Sequence, residues 1–218
     1  MKKPDICAVI VHNEPEKIKA VEPSVDLFEV RIDLIGEGWQ QVAGQLKKPW
    51  IASNRTVDEG GQWQGNEARR IEQLLLAAEM GASIVDIELA TKNLGNVIKA
   101  VKRRTKCLLS HHDLKGTPPL DTMKEIVRLQ LKAGADICKV VTTALEVEDN
   151  AAVLQLITGF PEEKIVAFAM GPMGILSRVL CPLVGGEFTY ASIEEGKESA
   201  PGQITVSDLT KIYGMLKV

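Results

Sequence analysis

Short β-branched apolar runs alternate with helical patterns from one end of the chain to the other, and no other feature restricts its fold so strongly. Strand-like runs fall at 6–11, 27–33, 50–55, 83–89, 106–112, 136–142, 164–169 and 187–192. Helical patterns lie between and after them, near 14–21, 37–47, 67–80, 93–104, 120–133, 147–158, 173–184 and 204–217. The clearest runs from Glu67 to Met80, where Ile71, Leu74, Leu75 and Ala78 recur at helical spacing and Gly81 follows as a stop. Strict β-α alternation implies a parallel sheet with helices outside it. Eight such units predict a closed (β/α)8 barrel. No proline- or glycine-rich linker divides the chain, so residues 1–218 read as a single domain. The alternative is an open doubly wound sheet, and the missing G-x-G-x-x-G or Walker loop after the first strand weakens its nucleotide-binding version.

Composition narrows the class of partner. Of 218 residues, 45% are hydrophobic and 25% charged, which suits one globular domain. The formal net charge is −3 and no basic stripe appears, so nucleic acid is not an expected partner. Lys102, Arg103 and Arg104, with Lys106 close by, read as a solvated helix end. Cys7, Cys107, Cys138 and Cys181 form no C-x-x-C pair, and three of them lie in apolar runs. They read as small buried hydrophobes in a reducing compartment, with neither a disulfide framework nor a zinc site. The first apolar run is too short for a secretory segment, and none approaches the ~20 residues of a membrane span. The expectation is a soluble cytoplasmic protein with no membrane partner.

Side-chain parity locates the chemistry. Successive residues on a strand point to opposite faces. Glu29, Arg31 and Asp33 therefore share one face of the second strand, and Val30 and Ile32 the other. The same rule groups Ser53 with Arg55, Asp86 with Glu88, and Ser110 with His112, while His111 points away. Lys139 is flanked by Cys138 and Val140 on the opposite face. The apolar faces must meet the helices, so Glu29, Arg31, Asp33, Arg55, Asp86, Glu88, His112 and Lys139 are expected to point into the barrel near the C-terminal ends of its strands. Barrel interiors are usually filled with branched aliphatics. Buried charges are costly unless paired, and this set has the mixed signs that pairing needs. A solvated outer sheet face is the bland alternative, but parallel sheets seldom expose a face.

Lys139 is the most telling member. A lysine is rarely buried without a partner, and a desolvated amine can attack a ketone or aldehyde to form a Schiff base. On its own an edge strand with a solvent-facing lysine explains it better, and the rest of the chain reverses that preference. His112 titrates nearest neutral pH and suits proton transfer. His111 and His112 face apart and make poor co-ligands, so a metal is not expected. Glu59, in the loop Thr56–Gly61, is either part of an acidic turn or a carboxylate that orients a histidine. Arg178 follows glycines at a strand-to-helix turn, where it could hold an anion or simply lie on the surface. The loop Ser199-Ala-Pro-Gly-Gln203 is either a lid or an ordinary connection.

Together these segments form a recognisable series: Glu29-Val-Arg31-Ile-Asp33, Arg55-Thr-Val-Asp-Glu59-Gly-Gly61, Asp86-Ile-Glu88-Leu, Ser110-His-His112-Asp113, Asp136-Ile-Cys-Lys139, Met170-Gly with Ser177-Arg178, and Ser199-Ala-Pro-Gly-Gln203. Each is weak alone, but their order and spacing are specific. The chain resembles type I 3-dehydroquinate dehydratase, the Schiff-base dehydratase of the shikimate pathway, from the second strand to the last loop. The resemblance implies a barrel enzyme, commonly dimeric, that needs no cofactor and takes 3-dehydroquinate as substrate. It implies that Lys139 forms the Schiff base, His112 moves the proton and Glu59 orients His112. Glu29, Arg31, Arg55, Arg178, Ser199 and Gln203 are implied in substrate binding, with Asp86 and Glu88 as supporting charges. The chain is short for the family, which implies trimmed helices or loops. Tyr190 to Glu198 does not match confidently and receives no role. Two rivals are a class I aldolase acting on sugar phosphates and a barrel turned to metabolite binding.

Overall fold

The computed structural model describes residues 3–218. Its strands are β1 (Ile6–Ile10), β2 (Leu27–Arg31), β3 (Trp50–Ser53), β4 (Ile84–Glu88), β5 (Lys106–His112), β6 (Ile137–Thr143), β7 (Ile165–Met170) and β8 (Thr189–Ser192). Its helices are α1 (Pro15–Val21), α2 (Ile32–Ile35), α3 (Trp39–Ala43), α4 (Glu67–Glu79), α5 (Leu94–Val101), α6 (Leu120–Ala133), α7 (Asp149–Thr158), α8 (Ile175–Leu180) and α9 (Val206–Leu216). Every paired strand is parallel to its neighbour. The ladder runs β7-β6-β5-β4-β3-β2-β1-β8, so the sheet curls into a nearly closed barrel. At the seam, the Glu187 N–H donates to the Ile165 carbonyl at 2.8 Å, and Phe168 meets Tyr190 edge to face. The eight-unit (β/α)8 expectation holds. Among the described residues no helix is long and apolar enough to cross a membrane.

Alternation along each strand separates two cores. Ile6, Ala8, Phe28, Val30, Ala52, Val85, Ile87, Cys107 and Leu109 point outward and pack under the helices. Cys138, Val140, Ile165, Ala167 and Ala169 do the same on the opposite side. The interior starts from an apolar layer at its base. Leu27, Ile84, Ile137 and Phe188 belong to that inner cluster. Two residues further along the same even-numbered strands stand Glu29, Asp86, Lys139 and Tyr190, all buried. Alternate strands supply the four side chains of one barrel layer. In this chain that layer is two acidic side chains, a lysine and a phenol.

Some boundaries differ from the sequence expectation. β2 ends at Arg31 and β3 at Ser53, so Asp33 and Arg55 lie beyond their strands. Asp33 sits in the single turn of α2, which ends at Gly36 with φ of 68°. It clamps Arg31 and is not among the residues lining the central cavity. The helix expected over 37–47 is only the five residues of α3, entered from left-handed Gly38. The pattern over 173–184 breaks into α8 and two flanking 3-10 turns, with Pro172 and Pro182 at their starts. α4 is capped as a helix start should be: the Asn66 side chain accepts from the Ala68 N–H at 2.7 Å.

Candidate active site

A cavity of about 300 Å³ opens at the C-terminal mouth of the barrel. Glu29, Arg31, Arg55, Glu59, His112, Lys139, Arg178, Ser199 and Gln203 all line it. Asp86 and Glu88 do not reach its surface and lie behind the lining charges.

Lys139 projects inward from the middle of β6. Its Nζ is 3.1 Å from Asp86 Oδ2 and 3.8 Å from Glu29 Oε1. The Tyr190 ring covers a further side, with its centroid 4.3 Å from Nζ. The lysine therefore touches every other member of its layer. Glu29 is itself held by the Ser53 hydroxyl, which donates to it at 2.7 Å.

Arg55 is the hub of the next set. It pairs with Asp86 and, at 3.1 Å, with Glu88, and it donates to the Ser110 hydroxyl at 2.6 Å. Ser110 passes the chain on, donating to Asp86 Oδ1 at 2.6 Å. Burial alone would raise Asp86, but Arg55, Lys139 and the Ser110 hydroxyl outweigh it and hold the carboxyl below its ordinary range. Glu88 has a second cationic partner, Arg70. Arg70 comes from α4 and is completely buried, and it also binds the Asn54 carbonyl, Glu67 and Thr91. Sequence reading missed it, although it shares the buried face of α4 with Leu74, Ala77 and Ala78.

The loop after β3 brings Glu59 to His112. Its chain doubles back so that the Gly61 and Trp63 N–H groups bond the Thr56 and Arg55 carbonyls at 2.8 and 3.0 Å. A side chain on Gly61 would collide with the Arg55 backbone. Glu59 Oε2 then lies 2.8 Å from His112 Nδ1 and accepts from the His112 backbone N–H at 3.2 Å. Burial, together with the cations Arg55, Lys139 and Arg31, pushes His112 well below its ordinary value. Burial also raises Glu59, to about 7, against the pull of Arg55 and with Glu88 and Asp86 adding to the rise. The imidazole is therefore neutral at neutral pH. An ionised Glu59 keeps the proton on Nδ1 and leaves the Nε2 lone pair free.

Arg178 is 2% exposed, and its guanidinium stacks on Phe168 at 4.4 Å. It donates to the Pro201 carbonyl at 3.2 Å, while its buried Nε has no partner among the described residues. Arg31 and Arg55 are paired with carboxylates, but among the described residues Arg178 pairs with none. Burial lowers it to about 10, so it is still a cation at neutral pH. The loop bearing Ser199 and Gln203 is latched over this corner. Gly171 N–H donates to Pro201 at 3.0 Å, and left-handed Gly202 sits too close to Gly171 for any side chain. Gln203 Oε1 accepts from the Ser199 N–H at 2.9 Å and from its hydroxyl at 3.3 Å. Tyr190, given no role from sequence, also lines this cavity.

An amine, a carboxylate-oriented imidazole and an unpaired guanidinium face one cavity at the catalytic end of a (β/α)8 barrel, and this defines a barrel enzyme for a small polar substrate. Residues 6–218 match the type I 3-dehydroquinase family. The 3-dehydroquinate dehydratase of Dehalococcoides mccartyi is 46% identical over 214 residues, covering 98% of this chain and 96% of its own. That of Methanosarcina mazei is 37% identical over 232 residues, covering 99% and 96%. The crystal structure of 3-dehydroquinate dehydratase from Geobacillus kaustophilus superimposes with a TM-score of 0.85 at 28% identity, over 99% of this chain and 92% of that one. The chain belongs to the type I 3-dehydroquinase family.

Proposed function

We propose that the chain is a hydro-lyase that removes water from 3-dehydroquinate through a Schiff base on Lys139, giving 3-dehydroshikimate in the shikimate pathway. The observation that carries the mechanism is the placement of the Lys139 amine and the Glu59-held His112 on one cavity. The Lys139 nitrogen attacks the C3 ketone, and the carbinolamine loses its oxygen as water to leave an iminium. That cation draws electrons from the adjacent C2–H bond, and His112 Nε2 takes the proton. The resulting enamine expels the C1 hydroxyl, which leaves as water with the proton His112 returns. Hydrolysis of the conjugated iminium frees the product and Lys139. Arg178, the unpaired guanidinium, binds the substrate carboxylate through its fork of donors. Glu29, Arg31, Arg55, Ser199 and Gln203 meet the ring hydroxyls, and Asp86 and Glu88 hold the cations in place. We assign the enzyme to the cytoplasm, as four buried free thiols favour. We assign it as a homodimer, as the resemblance implies.

Borohydride added during turnover of 3-dehydroquinate tests this reading. The expected result is growth of enone absorbance before quenching and a reduced adduct on the Lys139 peptide by mass spectrometry. An unmodified Lys139 in turning-over enzyme sinks the Schiff base. His112→Ala should keep the adduct while losing at least ~10²-fold in turnover.

A further inference from the structure

We propose that the face of Tyr190 is part of the catalytic machinery, holding the positive charge of the Lys139 iminium through a cation–π contact. The inference rests on the Schiff-base reading above. It begins from geometry: Nζ lies 4.3 Å from the ring centroid, the distance range at which an aromatic face attracts a cation. The ring is buried, so water does not dilute that attraction. T-shaped contacts with Phe168 (5.9 Å, 65°) and Phe188 (5.4 Å, 71°) fix its plane. The phenol oxygen is buried and has no hydrogen-bond partner among the described residues, so hydrogen bonding does not explain the residue.

The chemistry explains why a ring is needed beside two carboxylates. As an ammonium, Lys139 has three N–H donors for Asp86 and Glu29. As an iminium it has one. That single N–H can stay with Asp86 at 3.1 Å, which leaves Glu29, at 3.8 Å, without a donor. The nitrogen also turns planar. An aromatic face requires no donor hydrogen, so it is the partner that survives the change from ammonium to iminium. Neutral states of the nitrogen, the carbinolamine and the enamine, gain far less from the ring. Tyr190 therefore favours the charged electron sink over the uncharged species on either side. The ring forms and breaks no bond.

A fluorination series isolates this effect from packing. Phenylalanine at the position (Tyr190→Phe) serves as the reference, followed by its mono-, di- and trifluorinated analogues, introduced as non-natural residues. Fluorine changes ring volume little and progressively cancels the negative face. Two readouts are taken on each protein: kcat, and the rate of borohydride capture on the Lys139 peptide with saturating 3-dehydroquinate. Both are expected to fall log-linearly with fluorine number, by on the order of tenfold across the series, while far-UV circular dichroism shows the fold unchanged. Flat kcat and capture across the series overturn the cation–π role. If the unsubstituted enzyme itself yields no Lys139 adduct, the Schiff-base reading fails first, and that outcome is distinct from a flat series on an enzyme that traps normally.

Discussion

Glu59 and His112 share one hydrogen bond, and the protonation of one decides the usefulness of the other. With Glu59 ionised, His112 carries its proton on Nδ1 and offers Nε2 as a base. With Glu59 protonated, the carboxyl becomes the donor, and the imidazole proton moves to Nε2, where no base remains. Burial places this change at about pH 7. The sign follows directly: the active form is the ionised carboxyl, so kcat is expected to be lost as pH falls through about 7. Glu59→Gln cannot ionise, so it should be slow throughout and lack that acidic limb. A pH–kcat profile from 5 to 9 checks both. An unchanged acidic limb in the variant would move the titration to another group.

Between elements, the decisive contact is Arg70, which ties α4 to β4 through Glu88 and to Arg55 beyond it. Removing one member of a buried ion pair strands the other charge and costs about 3–5 kcal/mol. Arg70→Leu should therefore lose stability on that scale in urea unfolding. Glu67→Gln touches the same guanidinium from a side chain that is 36% exposed and should cost less than about 1 kcal/mol. Equal losses would mean that burial of the Glu88 pair is not what matters. The contact also marks the limit of what could be read beforehand. The β-branched runs located all eight strands, because each keeps an apolar face toward the helices even where charges alternate with it. Parity turned Lys139 and His112 inward, because a strand permits only two directions. Asp33 escaped the rule, since it lies past the strand, where a helical turn resets the direction of its side chain. Arg70 escaped because a helix period shows which face is buried but not which strand residue waits beneath it. Glu59 needed the path of a loop, and Tyr190 needed the stagger between β8 and its neighbours. Neither is carried by local pattern.

At the scale of the whole molecule, the barrel is filled in its middle layer by charges where branched aliphatics are usual. Such a centre should respond to acid in a way that can be assigned. Asp86 has a folded pKa below its ordinary value of 3.8, so its contribution to stability is present above that value and is lost as pH falls through the folded one. His112, lowered from 6.5, also contributes above its ordinary value and loses that contribution as pH falls. Glu59 acts in the other direction: raised from 4.5 to about 7, it contributes most below 4.5 and loses this as pH rises. Just below 6.5 the Glu59 and His112 slopes oppose each other, and stability should change little there. Below 3.8 the loss of the Asp86 contribution takes over, and stability should fall steeply. Asp86→Asn leaves Lys139 and Arg55 each short of a carboxylate, so it should already be destabilised at pH 7. Its acid limb should be shallower than that of the unsubstituted protein by up to one proton, about 1.4 kcal/mol per pH unit. Urea unfolding free energies measured from pH 2.5 to 7.5 on the two proteins give this difference directly. Parallel curves below pH 3.8 would show that the central carboxylate is not what acid attacks, and that the charged layer withstands protonation as an apolar core would.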